Sequence, residues 1–150
     1  MDQDAKNRAL SLLNRRDYSR KMLIDKLTEK GASEEDAVEV ADWLVSLGVI
    51  DDARYGALVV RHYDRKGYGI RRIKEELFRR GIDKELWDVS LEEISEPGDT
   101  VYRLLCRKLR ASASPEDLDR AANFLLRRGY SREEIRGALE RYSSEIGENE

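Results

Sequence analysis

Apolar side chains recur along this chain at intervals of three and four residues, the spacing that places them on one face of an α-helix. One arrangement is found three times, with an aliphatic residue eight positions before a glycine and another four before it. The three sets are Leu23, Leu27 and Gly31, then Ile73, Leu77 and Gly81, then Ala121, Leu125 and Gly129. Each set predicts a helix with one buried face that ends at its glycine, because the position after a helix favours glycine.

A second pattern follows each glycine. Two residues later stands a side chain typical of a helix N-cap, which is Ser33, Asp83 or Ser131. Apolar residues then follow at six, ten and thirteen positions after the glycine: Ala37, Ala41 and Leu44, then Trp87, Leu91 and Ile94, then Ile135, Leu139 and Tyr142. These steps predict one buried stripe per helix. A further helix precedes each pair, at about 5–15, 52–66 and 99–111.

The repeated pattern predicts an all-α fold built from three tandem three-helix, helix-turn-helix-like repeats. We place the repeats at residues 1–50, 51–97 and 98–146, with turns at 48–51 and 96–99 and a frayed tail at 147–150. In the third copy the middle helix begins at a capping box, Ser114 to Asp117, and is almost one turn longer than its counterparts. Small units in a row favour an elongated arrangement, able to curve, whose contacts join neighbouring repeats.

Composition agrees with densely charged amphipathic helices, since 39% of residues are charged and the mean hydropathy is -0.71. The first residues are acidic and the longest aliphatic stretch is far too short for a bilayer. The single cysteine, Cys106, excludes an internal disulfide framework. We therefore expect a soluble, cytoplasmic protein, monomeric and without a membrane partner.

Charge is distributed unevenly along the chain. The net charge is -3, but residues 54–84 carry ten basic and four acidic side chains, a local +6. Residues 1–53 carry -4 and residues 85–150 carry -5. The middle of the chain is therefore where an anionic partner is expected.

The basic centre offers candidate contact residues beside Tyr63 and Tyr68. Ile70, Ile73 and Leu77 are predicted to face inward, so the cations of the same helix must point elsewhere. The candidates are Arg61, Arg65, Lys66, Tyr68, Arg71, Arg72, Lys74, Arg79 and Arg80. A plain solvated face is the alternative, because Arg71 with Glu75 and Arg72 with Glu76 have the spacing of ion pairs across one turn.

Signs of catalysis are missing from the sequence. His62 is the single histidine, so neither a His/Cys metal cluster nor a convincing nucleophilic triad can be assembled. The glycines around Tyr68, at residues 67 and 69, could hold an anion at exposed backbone amides, or could simply form a turn. We expect no enzymatic activity, cofactor or metal.

Several of these residues, in their order and spacing, resemble the RecX family of recombination regulators. The resemblance runs from about Ala9 to Ile82. Its motifs are Tyr18-Ser19 with Leu27 and Gly31, Ile50-Asp51-Asp52-Ala53-Arg54-Tyr55, Lys66-Gly67-Tyr68-Gly69, and Arg72-Ile73 with Glu76-Leu77 and Gly81-Ile82. The C-terminal third matches through the repeat pattern. Ile70 departs from the family, which most often has proline there, and this implies a change in loop stiffness.

The resemblance implies three tandem three-helix repeats, binding along the groove of RecA filaments on DNA, and a place in DNA repair, recombination and the SOS response. It further implies inhibition of filament growth, strand exchange and RecA ATP hydrolysis, with some sequence-independent affinity for DNA. Under this hypothesis Arg61, Arg65, Lys66, Arg71, Arg72, Lys74, Arg79 and Arg80 form the filament or DNA contact, and Tyr68 sets the loop. Two alternatives stay open: a DNA-binding protein that acts without RecA, and a helical-repeat adaptor for another protein.

Overall fold

The computed structural model describes residues 1–94, 98–109 and 113–149, with side chains up to 146. Within these ranges the chain is helical and contains no strand. The helices are α1 (Gln3–Arg15), α2 (Arg20–Glu29), α3 (Glu34–Ser46), α4 (Asp52–Arg65), α5 (Ile70–Arg79), α6 (Trp87–Leu91), α7 (Asp99–Lys108), α8 (Pro115–Arg127) and α9 (Arg132–Asn149), with a 3₁₀ turn at Lys84–Leu86. The prediction of an all-α fold of three-helix repeats is confirmed.

The shared glycines close the second helix of each repeat in the same way. Their φ angles are 107° at Gly31, 76° at Gly81 and 100° at Gly129, in the left-handed region that favours glycine. The residue after each glycine donates its N–H to the leucine carbonyl five positions earlier: Ala32 to Leu27 at 3.0 Å, Ile82 to Leu77 at 3.0 Å and Tyr130 to Leu125 at 3.1 Å. This is the Schellman hydrogen bond, and it confirms the predicted role of the repeated glycine.

The N-cap residues after the glycines do not all act alike. The Ser33 hydroxyl accepts the N–H of Asp36 at 3.1 Å, and Ser131 forms a reciprocal capping box with Glu134. Asp83 has the extended N-cap backbone but makes no capping hydrogen bond with its side chain. The helix that follows Asp83 is short: a 3₁₀ turn leads into α6, which has five residues.

The buried stripe predicted for the third helix of the second repeat is wrong in part. Trp87, Leu91 and Ile94 are half-buried, and the buried residue is Ser90, nine positions after Gly81 where the first repeat has the buried Val40. A Cβ added at Gly56 of α4 would lie 2.5 Å from the Ser90 hydroxyl oxygen. The close approach of α4 therefore requires small residues, which the spacing of apolar positions could not reveal.

The backbone contacts divide the chain into two compact units. The first consists of Met1–Leu58 with Leu77–Ser90, and the second of Val59–Glu76 with Leu91–Glu150, so α4 and α5 contribute residues to both. The core of the first unit contains Leu23, Leu27, Val40, Leu44 and Ile50. The core of the second contains Val101, Leu105, Ala121, Leu125 and Ile135. The proposed repeat boundaries remain a prediction, and residues 95–97 at the second turn lie outside the described residues.

Helix α9 continues to Asn149, beyond the start of the tail that was predicted to fray, while Glu150 lies outside the described residues. Across the described ranges, we find no helix whose length and apolar content would allow it to cross a lipid bilayer.

Candidate functional site

The nine residues singled out in the basic centre fall into two groups by exposure. Six side chains are exposed and three are half-buried. The exposed ones are Arg61, Arg65, Lys66, Arg71, Lys74 and Arg79, and the half-buried ones are Tyr68, Arg72 and Arg80. Arg79 and Arg80 belong to the first compact unit and the other seven to the second.

Arg72 is held by contacts within the second unit. Its Nη2 lies 3.2 Å from Oε1 of Glu76, a carboxylate that is 1% exposed, and its Nη1 lies 3.8 Å from Glu75. Its guanidinium also lies 5.7 Å from the ring centre of Tyr68. The predicted pairing of Arg72 with Glu76 across one turn is confirmed, and it gives Arg72 a structural role.

Arg80 has a comparable internal role in the first unit. Its Nη1 donates to the Tyr55 hydroxyl at 2.6 Å. Its backbone carbonyl accepts the hydroxyl of Ser19, the N-cap residue of α2. Because Tyr55 and Ser19 are both buried, these bonds hold Arg80 in place.

The loop at residues 67–69 packs against the C-terminal end of α8. The Gly69 N–H donates to the Arg128 carbonyl at 2.8 Å, and the Arg71 N–H donates to the Gly129 carbonyl at 3.2 Å. The positive end of α5 thus faces the negative end of α8, which satisfies backbone groups of both helices. Since these amides already have partners, the turn interpretation of the two glycines is favoured over anion binding.

The packing at Gly69 is too close for a side chain. A Cβ added there would lie 2.4 Å from the carbonyl carbon of Gly129 and 2.5 Å from the Tyr130 nitrogen, and both are backbone atoms that cannot move aside. A Cβ added at Gly129 would lie 2.7 Å from the Arg72 backbone nitrogen. Gly69 and Gly129 together allow the start of α5 to approach the end of α8.

The first unit contains the equivalent contact. In the repeat alignment Ser19 corresponds to Gly69 and Arg80 to Arg128. Ser19 donates its side-chain hydroxyl to the Arg80 carbonyl, where Gly69 donates its backbone N–H to the Arg128 carbonyl. The start of one middle helix therefore binds the end of the next middle helix in both places.

Arg71 and its neighbours line a basic cleft in the second unit, which we call the α5–α9 cleft. Its volume is 520 Å³, and its walls are Ile70, Arg71, Lys74, Leu126, Gly129, Tyr130, Ser131, Arg132 and Glu134. The Arg71 Nη2 donates to the Leu126 carbonyl at 2.6 Å, which fixes that guanidinium at the rim. Arg71, Lys74 and Arg132 are all exposed, so the cleft presents three cations beside the apolar side chains of Ile70 and Leu126. Ile70 was predicted to face inward, and its exposure of 39% shows that this prediction is wrong.

Sequence reasoning missed Arg132, which enters the cleft from the first turn of α9. Its position three residues after Gly129 was the available signal, since the turn at that glycine brings α9 beside α5. The acidic member of the cleft, Glu134, uses its Oε1 to accept the Ser131 N–H at 2.9 Å.

The remaining cations on α4 have different surroundings. The Arg61 Nε lies 3.4 Å from the Glu93 carboxylate in an exposed pair, a type that contributes little to stability. Arg65 is the last residue of α4 and Lys66 follows it, both with exposed side chains. The Lys66 carbonyl accepts a hydrogen bond from Nη2 of Arg128 at 3.4 Å. The guanidinium carbon of Arg128 lies 4.3 Å from the centre of the Tyr68 ring. This contact holds Tyr68, and with it the loop at residues 67–69, in place.

Comparison with known proteins identifies relatives over most of the chain. Two family models match, one described as RecX, first three-helix domain, at residues 5–44, and one as RecX, second three-helix domain, at residues 51–91. Regulatory protein RecX of Stenotrophomonas maltophilia (strain R551-3) is 35% identical over 140 residues, which cover 91% of this chain and 86% of the relative. Regulatory protein RecX of Xanthomonas axonopodis pv. citri (strain 306) is 36% identical with the same coverage.

Solved structures resemble the fold closely. The crystal structure of RecX from Lactobacillus salivarius superimposes with a TM-score of 0.77 at 24% identity, covering 92% of this chain and 94% of that one. A second crystal structure, of a regulatory protein RecX, gives a TM-score of 0.82 at 21% identity and covers 91% of this chain and 72% of that one.

Proposed function

The chain belongs to the RecX family of regulatory proteins, and we propose that it binds the RecA filament on DNA and inhibits its growth, ATP hydrolysis and strand exchange. RecX is a family of regulators, and a regulator of this kind acts by binding. The proposal further places the protein in the cytoplasm, as a monomer with weak, sequence-independent contact to DNA.

The observation that carries the proposal is the α5–α9 cleft. Arg71, Lys74 and Arg132 place three cations beside Ile70 and Leu126, in a chain whose net charge is -3. A local basic site in an acidic protein favours a defined anionic target over general attraction to nucleic acid. Phosphates of filament-bound DNA or an acidic surface of RecA would satisfy these cations.

The structure of the cleft and its surroundings supports a shorter list of proposed partner-contact residues. Arg72 and Arg80 are half-buried, and their guanidinium groups bind Glu76 and Tyr55. In this proposal both arginines are structural and neither contacts the partner. The proposal assigns the contact with the partner to the cations of the cleft. Outside the cleft, the exposed basic candidates are Arg61, Arg65, Lys66 and Arg79.

The experiment is a titration of RecA's single-strand-dependent ATPase with the wild-type protein and two charge-reversal variants. The first, Lys74→Glu with Arg132→Glu, reverses two cleft cations and leaves the Arg71 contact intact. The matched control, Lys30→Glu with Arg107→Glu, makes the same change in charge at exposed positions outside the cleft. Circular dichroism checks that both variants remain helical.

We expect the cleft variant to require roughly ten times more protein for half inhibition, the loss typical of one or two charge-assisted contacts. The control should inhibit like the wild type. Equal inhibition by all three proteins, or an equal loss in both variants, would contradict the cleft as the contact site.

A DNA-binding role without RecA is the second candidate, and the +6 charge of residues 54–84 favours it. Binding to bare duplex DNA with no effect on RecA ATPase would support this alternative. If the protein binds neither DNA nor RecA, the alternative of a helical-repeat adaptor for another protein is favoured.

A further inference from the structure

A second cavity in the second unit is lined by acidic side chains, whereas the α5–α9 cleft is mainly basic. Its volume is 210 Å³, smaller than the roughly 300–1,000 Å³ of sites that hold drug-sized ligands. Ile70, Leu91, Ile94 and Val101 supply apolar walls. A cavity of this size suits a group no larger than one long side chain.

The polar lining of this cavity is acidic. Asp64, Glu92 and Glu134 contribute carboxyl groups, and Thr100 contributes a hydroxyl. No basic residue lines it among the described residues. Ionised carboxylates only accept hydrogen bonds, so a complementary ligand must donate them.

The hydroxyl of Tyr130 is the second, independent sign of a ligand. Tyr130 lines the cavity, is 6% exposed, and its buried hydroxyl has no hydrogen-bond partner among the described residues. Burial raises the pKa of Tyr130, and the negative charges of Asp64 and Glu134 raise it further, whereas Arg128 and Arg103 lower it. The phenol is thus held neutral close to two cavity carboxylates, and a buried polar group left unpaired is unfavourable.

We propose that this cavity binds an organic cation with an apolar stem, an alkylguanidinium or alkylammonium group, between Tyr130 and the carboxylates of Asp64, Glu92 and Glu134. The stem packs against Ile70 and Val101, while the cationic head donates to the carboxylates and the Tyr130 hydroxyl. Such a group comes either from a free small amine or from an arginine or lysine side chain of a protein partner. The cavity shares Ile70, Tyr130 and Glu134 with the α5–α9 cleft, but it would take a cation where the cleft would take an anion. The inference therefore goes beyond the function proposed for the cleft.

The test is an NMR titration of the isotope-labelled full chain with n-butylguanidinium, using neutral n-butylurea of similar shape as the control ligand. We expect saturable shifts centred on Val101 and Tyr130 with the cation, and none with the urea. Tyr130→Phe should weaken binding roughly tenfold, as expected for one hydrogen bond to a charged group. Tyr102→Phe removes a surface hydroxyl bonded to Glu145 outside the cavity, and should leave binding unchanged.

A third titration separates the two sources of the ligand. Arginine blocked at both backbone ends should shift the same signals if the cavity accepts a side chain presented by a protein. Binding of butylguanidinium alone would assign the cavity to free small cations. No saturable shift with either cation, or equal shifts with butylurea, would overturn the proposal, and so would a Tyr130→Phe variant that binds like the wild type.

Discussion

At the scale of single residues, the most demanding position is Gly69, where two helix ends meet without room for a Cβ. We expect Gly69→Ala to destabilise the protein by about 1–3 kcal/mol, the range for overpacking, because the added methyl group would press on the backbone of Gly129 and Tyr130. Thermal unfolding followed by circular dichroism measures the effect.

Gly137 is the matched control, since it lies in α9 and a Cβ added there meets nothing within 4 Å. Gly137→Ala should stabilise the protein by roughly 0.5–1 kcal/mol, the usual gain inside a helix. An unfolding temperature of Gly69→Ala equal to that of the wild type would contradict the close approach of α5 to α8.

These glycines show what could and could not be predicted from the sequence at this scale. The left-handed backbone at Gly31, Gly81 and Gly129 followed from their fixed distance to buried leucines, a local signal. The need for glycine at position 69 depends on Gly129, which is 60 residues away. No periodicity within one helix carries that information, and the same holds for Arg71, whose partner is the Leu126 carbonyl.

At the scale of helices, the aligned caps Ser33 and Asp83 predict different responses to truncation. Ser33 binds the Asp36 N–H, whereas Asp83 makes no capping bond. Ser33→Ala should therefore lower the free energy of unfolding by about 1 kcal/mol, and Asp83→Ala should change it by less than about 0.5 kcal/mol. Urea unfolding of both variants tests this, and equal losses would show that the cap at Ser33 has no special effect.

The same comparison explains why the third helix of the second repeat was predicted poorly. N-cap type, spacing and apolar residues were all present in the sequence at Asp83, Trp87 and Leu91. The structure instead has a 3₁₀ turn at Lys84–Leu86, and the indole N–H of Trp87, just after it, donates to the Ile82 carbonyl at 2.9 Å. The contact between Ser90 and Gly56 joins positions 34 residues apart, so no pattern within one helix could reveal it.

At the scale of the whole molecule, the charge distribution bears on the proposed contact with DNA. Acidic segments flank the basic centre in the sequence, so the proposal assigns phosphate contact to few cations. If Arg71, Lys74 and Arg132 make the contact, the logarithm of the affinity for duplex DNA should fall with the logarithm of salt concentration with a slope of about -3. Fluorescence anisotropy at several salt concentrations measures it.

The Lys74→Glu, Arg132→Glu variant tests whether the cleft cations make these phosphate contacts. Loss of two phosphate contacts should reduce the slope to about -1, because each contact contributes roughly -0.9. The Lys30→Glu, Arg107→Glu control carries the same net charge and should keep the wild-type slope. A slope that is the same in all three proteins would place DNA contact away from the cleft, because counterion release counts the phosphates neutralised at the interface and does not follow the net charge of the protein.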